Sequence, residues 1–252
     1  MFTFIRELLQ GPLLVDHIDF QVQGHTPLDF DLAGNRLRVE LPLPFSKGMP
    51  PTKLVPDFDL HDPQAFGDAR KHALLKAMWD IPRPRFWQPD YGSVALTLWV
   101  HKNSDPVHFN LFERDSFILA IQEDLKAEYD EYNQRTWEEG LAAGRLSIDV
   151  GDDLISFGRN SDERFSDHQF NQRQWLKHRI VGVETHGIYC TPIDPNAYLS
   201  LDFEFMRNKR ITDTRLADKM TPFTDSVVAT AELVSASSES QRRIMSGVTI
   251  DA

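Results

Sequence analysis

The sequence predicts an α+β protein, in which a mostly antiparallel sheet is built from several hairpins and packs against a long acidic helix and one or two further helices. Three observations favour this class. Apolar and polar residues alternate in several short segments separated by turn residues, which is typical of paired strands. In residues 116–143 the apolar spacing changes to three and four, which is typical of a helix. The regular alternation of strands with helices that a parallel sheet requires is missing.

The N-terminal half predicts a hairpin, an irregular connection and a helix. Residues 28–41 contain two alternating apolar segments around a compact turn, which is typical of a hairpin. The prolines of residues 42–57 predict a long surface connection, because proline cannot donate a backbone hydrogen bond to a strand or a helix. Residues 62–79 begin with Asp62 and Pro63 and continue with apolar residues at helical spacing, so they predict a helix.

The central region predicts a second hairpin followed by the long helix. Residues 94–100 alternate in apolar character, and residues 107–111 repeat the alternation after a turn sequence. The long helix then occupies residues 116–143, and we expect its apolar face to pack on the sheet. That face consists of Ile118, Ile121, Leu125, Tyr129 and Tyr132.

The C-terminal half predicts more strands and a last helix. Residues 160–171 are polar and predict a loop, whereas residues 175–189 predict a long strand that is interrupted by Gly182 and Gly187. Residues 199–205 alternate strictly, so we expect their leucine and phenylalanine side chains to point into the core. Residues 225–235 predict a last helix. Three shorter elements are also predicted, a helix at residues 2–9, a strand at residues 13–22 and a hairpin at residues 146–157.

Composition and charge bound the class of protein. The chain is 41% apolar, and we expect a single α+β domain over residues 1–206, then a C-terminal helix and a partly mobile tail over residues 207–252. The net charge of -11 disfavours general binding to nucleic acid or to an anionic membrane surface. Cys190 is the single cysteine, and neither a secretory signal nor a membrane-spanning apolar run is evident. We therefore expect a cytoplasmic protein, of undetermined oligomeric state.

Two regions are candidates for binding a partner. The long helix concentrates negative charge, which would steer a basic partner toward it. We assign partner binding there to Glu123, Asp124, Glu128, Asp130 and Glu131. Residues 82–91 combine cations with aromatic side chains, a composition that is enriched at protein interfaces. The candidates there are Arg83, Arg85, Phe86 and Trp87. A merely solvated helix face, and aromatic side chains that simply fill the core, are the structural alternatives.

Signals for catalysis or metal binding are sparse. The sequence contains no glycine-rich phosphate motif and no serine-hydrolase elbow, so we assign no catalytic residue, no metal ligand and no cofactor. Short pairs such as Asp59 with His61 contain residue types that bind divalent metals, although none has a known metal-ligand spacing. Cys190 with His178 or His186 as a base is a further possibility, and a buried, unreactive cysteine is its alternative.

The sequence therefore predicts a non-enzymatic, acidic, cytoplasmic protein that binds a basic protein partner, as an inhibitor, an immunity protein or an adaptor does. The alternative is a metal-dependent hydrolase that uses the His/Asp pairs. Metal binding to the purified protein would distinguish the two functions, because a structural or catalytic metal also changes the stability of the fold.

Overall fold

The computed structural model describes residues 20, 22–46, 49–55, 57–62, 64–81, 92–144, 165–179, 186–207 and 216–234. The predicted elements at residues 2–9 and 146–157, nearly all of the strand predicted at residues 13–22, and the chain after residue 234 lie outside these ranges. The binding candidates Arg83, Arg85, Phe86 and Trp87 also lie outside them.

The described residues form two antiparallel sheets and two helices, which confirms the predicted α+β class. The small sheet has the order β1-β2-β10 and comprises β1 (Gly24–Leu32), β2 (Asn35–Leu43) and β10 (Glu232–Val234). The large sheet has the order β3-β4-β5-β9-β8-β7-β6. Its strands are β3 (Thr52–Lys53), β4 (Lys71–Asp80), β5 (Gly92–Lys102), β6 (Phe165–Phe170), β7 (Arg173–Arg179), β8 (His186–Asp194) and β9 (Ala197–Arg207). The helices are α1 (Arg114–Ala142) and α2 (Leu216–Val228).

Helix α1 lies in the chain between a central strand of the large sheet and one of its edge strands. The chain leaves β5 in the middle of the sheet, continues through α1 and next enters the sheet at its far edge, with β6. Strands β6 to β9 then return in sequence until β9 pairs with β5. Residues that pair in register point to the same face of a sheet. The register pairs Trp99 with Ser200 and His101 with Tyr198, so these four side chains share one face.

Both faces of the large sheet are covered. On one face, alternate residues of β5 and β9 pack with the small sheet and with α2, whose Phe223 ring stands edge-on to Trp79 at 5.3 Å. On the other face, α1 packs through a cluster that includes Phe117, Ile121 and Tyr198. Because both faces of the sheet are covered, residues 94–100 of β5 alternate between buried and half-buried and none of them is fully exposed.

The long helix confirms the prediction for residues 116–143, with α1 beginning at Arg114 and ending at Ala142. Gly144 follows with a φ of 75°, the left-handed conformation that glycine adopts readily after a helix. Of the five residues predicted to face the sheet, four are buried, whereas Tyr132 is 38% exposed. The hairpin of residues 28–41 is also confirmed, as β1 and β2.

The helix predicted for residues 62–79 is wrong, because this segment forms turns followed by β4. Asp62 caps a turn instead of a helix, since its Oδ1 accepts a hydrogen bond from the backbone N–H of Gln64 at 2.8 Å. In β4 the register shifts between Ala73 and Leu75, and the two adjacent residues Leu74 and Leu75 are both buried. A bulge of this kind adds one residue to the strand and so imitates helical spacing.

Several boundaries in the rest of the chain also differ from the predictions. Residues 107–111 form turns, and Val107 is 87% exposed, so the second predicted hairpin does not form. Part of the predicted loop at residues 160–171 is β6. Of residues 175–189, those that the structure describes belong to two strands that pair with each other, residues 175–179 to β7 and residues 186–189 to β8. The last helix begins at Leu216 and not at residue 225. It ends at Val228 and not at residue 235, because Glu232–Val234 pair with β2 as β10.

The second helix and β10 share a core with the first part of the chain. Met220, Phe223 and Val227 of α2 belong to the same buried cluster as the strands of both sheets. The domain boundary expected after residue 206 stays a prediction. Apolar side chains of residues 216–234 are buried together with those of the preceding strands.

Candidate functional site

A cleft between α1 and the large sheet is a candidate for a functional site, with a volume of about 760 Å³. Its floor comes from β5, β8 and β9, its roof from α1, and its rim from residues 68–71, which lead into β4. Ligand sites commonly occupy about 300–1,000 Å³ and place a few polar groups among apolar ones. The polar groups of the floor come from strand positions that alternate with the buried apolar residues of β5 and β9, and others come from α1 and the rim.

A neutral histidine and a serine form one part of the floor. The Nε2 atom of His101 lies 2.8 Å from Oγ of Ser200, and its ring stacks on Tyr198 with the ring centroids 4.4 Å apart. Burial, together with a smaller effect of the positive charge of Lys71, lowers the pKa of His101 to about 3. The imidazole is therefore uncharged near neutral pH and adds no positive charge to the cleft.

Asp124 brings a carboxylate from α1 down to this floor. Its side chain is 8% exposed, and the hydroxyl of Tyr198 donates a hydrogen bond to its Oδ2 at 2.7 Å. Its buried Oδ1 accepts no hydrogen bond from the residues that the structure describes, and Nη1 of Arg70 lies 3.6 Å away. Burial raises the pKa of Asp124, against the opposing effects of Tyr198 and Arg70.

The rim of the cleft holds its cations. Nζ of Lys71 lies 2.5 Å from Oε2 of Glu128 and 4.6 Å from the centre of the Trp99 ring. The indole Nε1 of Trp99 is buried and, within the described part of the chain, donates no hydrogen bond. Lys71 is thus held between a carboxylate and an aromatic face.

Negative charge dominates the cleft. Among the described residues that line it, the carboxylates outnumber the cations, which come from Arg70 and Lys71. The carboxylates are Asp68, Asp124, Glu128, Glu131, Asp202 and Glu204. A cleft with this excess, roofed by a helix, attracts positively charged groups.

The structure separates the predicted acidic residues of α1 into two faces. Spacings of four and three place Asp124, Glu128 and Glu131 on the side of the cleft, and all three line it. Glu123 and Asp130, seven residues apart, lie on another face and are exposed. Asp124 is the buried member of the five, and its Oδ2 accepts a hydrogen bond from the buried hydroxyl of Tyr198.

Sequence reasoning missed the floor of the cleft. Trp99, His101, Tyr198 and Ser200 were not among the predicted site residues, although the alternation in residues 94–100 and 199–205 puts them opposite the apolar core positions. The signal that could have found them is a run of polar and aromatic residues on the second face of two apolar strands.

The serine and histidine pair does not have the surroundings of a nucleophilic site. Such a site needs backbone N–H groups or other donors aimed at a developing oxyanion. Ser200 lies in the middle of β9, which pairs on one side with β5 and on the other with β8. Its neighbouring backbone groups are therefore used by the sheet, and the arrangement suits binding better than acyl transfer.

The other chemical candidates of the sequence are not assembled by the described residues. No three His, Cys, Asp or Glu side chains of the described ranges are grouped so that they could hold a metal. Asp59 and His61 are exposed, and Oδ1 of Asp59 accepts a hydrogen bond from the backbone N–H of His61. Cys190 is buried and free, and burial raises the pKa of its thiol, which disfavours a reactive thiolate.

Across the part of the chain that the structure describes, neither helix has the length and apolar character needed to cross a membrane. Comparison with protein-family models, with curated proteins and with solved structures gave no match.

Proposed function

We propose that this protein is a non-enzymatic cytoplasmic binding protein that recognises a basic protein partner through the cleft side of α1. The observation that carries the proposal is the charge of the cleft, in which Arg70 and Lys71 face a clear excess of carboxylates. Complementary charge speeds the encounter of two proteins and disfavours partners of the wrong sign.

The cleft side of α1 also offers contact area. Tyr132 lines the cleft and is partly exposed, and tyrosine is enriched among the residues that contribute most to protein interfaces. The outer face of α1 is less favourable, because Lys126 lies 3.9 Å from Asp130 and partly neutralises it. We therefore assign the partner to the cleft side and not to the outer face.

Two matched charge reversals test this assignment. The first variant, Glu131→Lys with Glu204→Lys, changes the cleft side, and the second, Glu123→Lys with Asp130→Lys, changes the outer face. Both alter the net charge by the same amount at exposed positions, so both should fold, with a cost of about 0–1 kcal/mol for each residue. The probe is a deca-arginine peptide, and its association rate is measured at low and moderate salt concentrations.

The cleft-side variant should bind the peptide more slowly and with a smaller salt dependence than the parent, because the attracting field is weakened. The outer-face variant should bind nearly as the parent does. Equal losses in the two variants would mean that the peptide responds only to net charge, and would refute a specific role for the cleft side. Equal rates in all three proteins would refute the proposal as a whole.

A further inference from the structure

The cleft contains two buried polar atoms of opposite character that the described residues do not satisfy. Oδ1 of Asp124 is an acceptor without a donor, and Nε1 of Trp99 is a donor without an acceptor. Buried polar groups are almost always hydrogen-bonded in folded proteins, because leaving one unpaired is costly. Both atoms belong to residues that line the same cleft.

Neither Arg70 nor Lys71 donates a hydrogen bond to Oδ1 of Asp124. The 3.6 Å between Oδ1 and Nη1 of Arg70 is too long for a hydrogen bond, and the Arg70 side chain is 56% exposed at the rim. Lys71 is engaged by Glu128 and by the ring of Trp99. Oδ1 has almost no accessible surface, so a further donor reaches it only when the exposed Arg70 side chain swings out from the rim, a movement that breaks no hydrogen bond to Oδ1.

The walls of the cleft suit an alkyl chain that ends in a cation. Ile121, Leu125 and Ile188 line it together with the carboxylates, so a flexible apolar stem would be covered while its charged end reaches Asp124. The volume of about 760 Å³ leaves room for a side chain and for the backbone that carries it. The peptide carbonyl of that backbone can accept the hydrogen bond that Nε1 of Trp99 does not donate to any described residue.

We infer that the cleft receives one arginine side chain of the basic partner, whose guanidinium group donates to Oδ1 of Asp124 while its peptide carbonyl accepts from Nε1 of Trp99. The inference rests on the proposed function, for which it names the recognised group. Arginine is favoured over lysine because guanidinium is the more weakly hydrated cation and is easier to bury.

The test uses capped single residues as probes of the full chain. N-acetyl-arginine N-methylamide is titrated into the protein, and the indole N–H resonance of Trp99, assigned with Trp99→Phe, is followed by NMR. We expect a saturable shift of that resonance, and none with the citrulline analogue, which has the same shape and no charge. Equal shifts with the two analogues would overturn the inference.

Asp124→Asn should weaken binding of the arginine analogue at least tenfold, because a hydrogen bond to a charged acceptor is replaced by one to a neutral acceptor. Asp130→Asn makes the same chemical change on the exposed outer face and should bind as the parent does. A circular-dichroism spectrum and a urea midpoint of Asp124→Asn that match those of the parent exclude a loss of folding as the cause. Unchanged affinity in Asp124→Asn would overturn the inference.

Two further probes identify the source of the cation. Agmatine carries the guanidinium group without a peptide carbonyl, and tighter binding of agmatine would overturn the assignment to a partner side chain in favour of a free small cation. Tighter binding of the lysine analogue would overturn the preference for arginine. If the cleft-side charge reversal slows the deca-arginine peptide while Asp124→Asn does not weaken it, this inference fails and the proposed function stands.

Discussion

Replacement of Phe203 by alanine should be among the most destabilising changes in this protein. Phe203 is fully buried in β9, where it is paired in register with Leu96 of β5 and Gly187 of β8. Its ring also stands edge-on to Tyr189, with the centroids 5.8 Å apart. Removal of a buried phenylalanine costs about 3–5 kcal/mol, and part of that cost depends on how far the neighbours can fill the cavity.

The structure places Phe203→Ala in the upper part of this range. Gly187 has no side chain to move into the space, and the loss of the aromatic contact adds about 0.5–1.5 kcal/mol. We expect a loss of about 4–5 kcal/mol in the free energy of unfolding. With a urea m-value of about 3 kcal/mol/M, the midpoint should fall by about 1.5 M.

Glu204→Ala is the matched control, because Glu204 is the next residue of β9 and is exposed on the opposite face. Its effect should stay within about 0.5 kcal/mol. Urea unfolding followed by circular dichroism measures both variants. A loss below about 1 kcal/mol in Phe203→Ala, or a larger loss in Glu204→Ala, would show that the two faces of β9 are interchanged.

Two other predictions concern polar groups. Asn103→Ala should lower the free energy of unfolding by about 2–4 kcal/mol, because the buried Asn103 side chain donates hydrogen bonds to the carbonyls of Phe109 and Pro195 at 2.9 Å each. Asn110→Ala, at an exposed position, should lower it by less than about 1 kcal/mol in the same urea assay. Burial raises the pKa of Asp124 in the folded state above its ordinary value of 3.8, so the folded state keeps a proton that the unfolded state releases. Ionisation of Asp124 therefore lowers stability as the pH rises, and the parent should lose stability relative to Asp124→Asn as the pH rises above the ordinary aspartate pKa of 3.8. A parallel pH dependence of the two unfolding midpoints would contradict this.

The elements that the sequence predicted best are those in which the local pattern and the tertiary structure agree. The long helix has apolar residues at helical spacing and packs along one side, so α1 was predicted within two residues at each end. The hairpin of β1 and β2 has a short turn between alternating strands. In both, the pattern depends on neighbours close in the chain.

The failures come from interactions that a local pattern does not contain. The bulge in β4 brings Leu74 and Leu75 to the core together, and no periodicity of a single chain segment distinguishes this from a helix turn. The cleft depends on the pairing of β5 with β9, which lie far apart in the sequence. The burial of Asp124 follows from that pairing, since its hydrogen-bond partner Tyr198 belongs to β9.

The position of β9 between β5 and β8 has a consequence for synthesis of the chain. When β5 leaves the ribosome it can pair with β4, but its other edge has no partner until residues 197–207 have been made. During this interval the nascent chain presents an apolar strand with open N–H and C=O groups, which is the kind of edge on which other chains aggregate. A ribosome that stalls before residue 197 would release a product that requires a chaperone, whereas a stall after residue 207 would release one whose central sheet is closed.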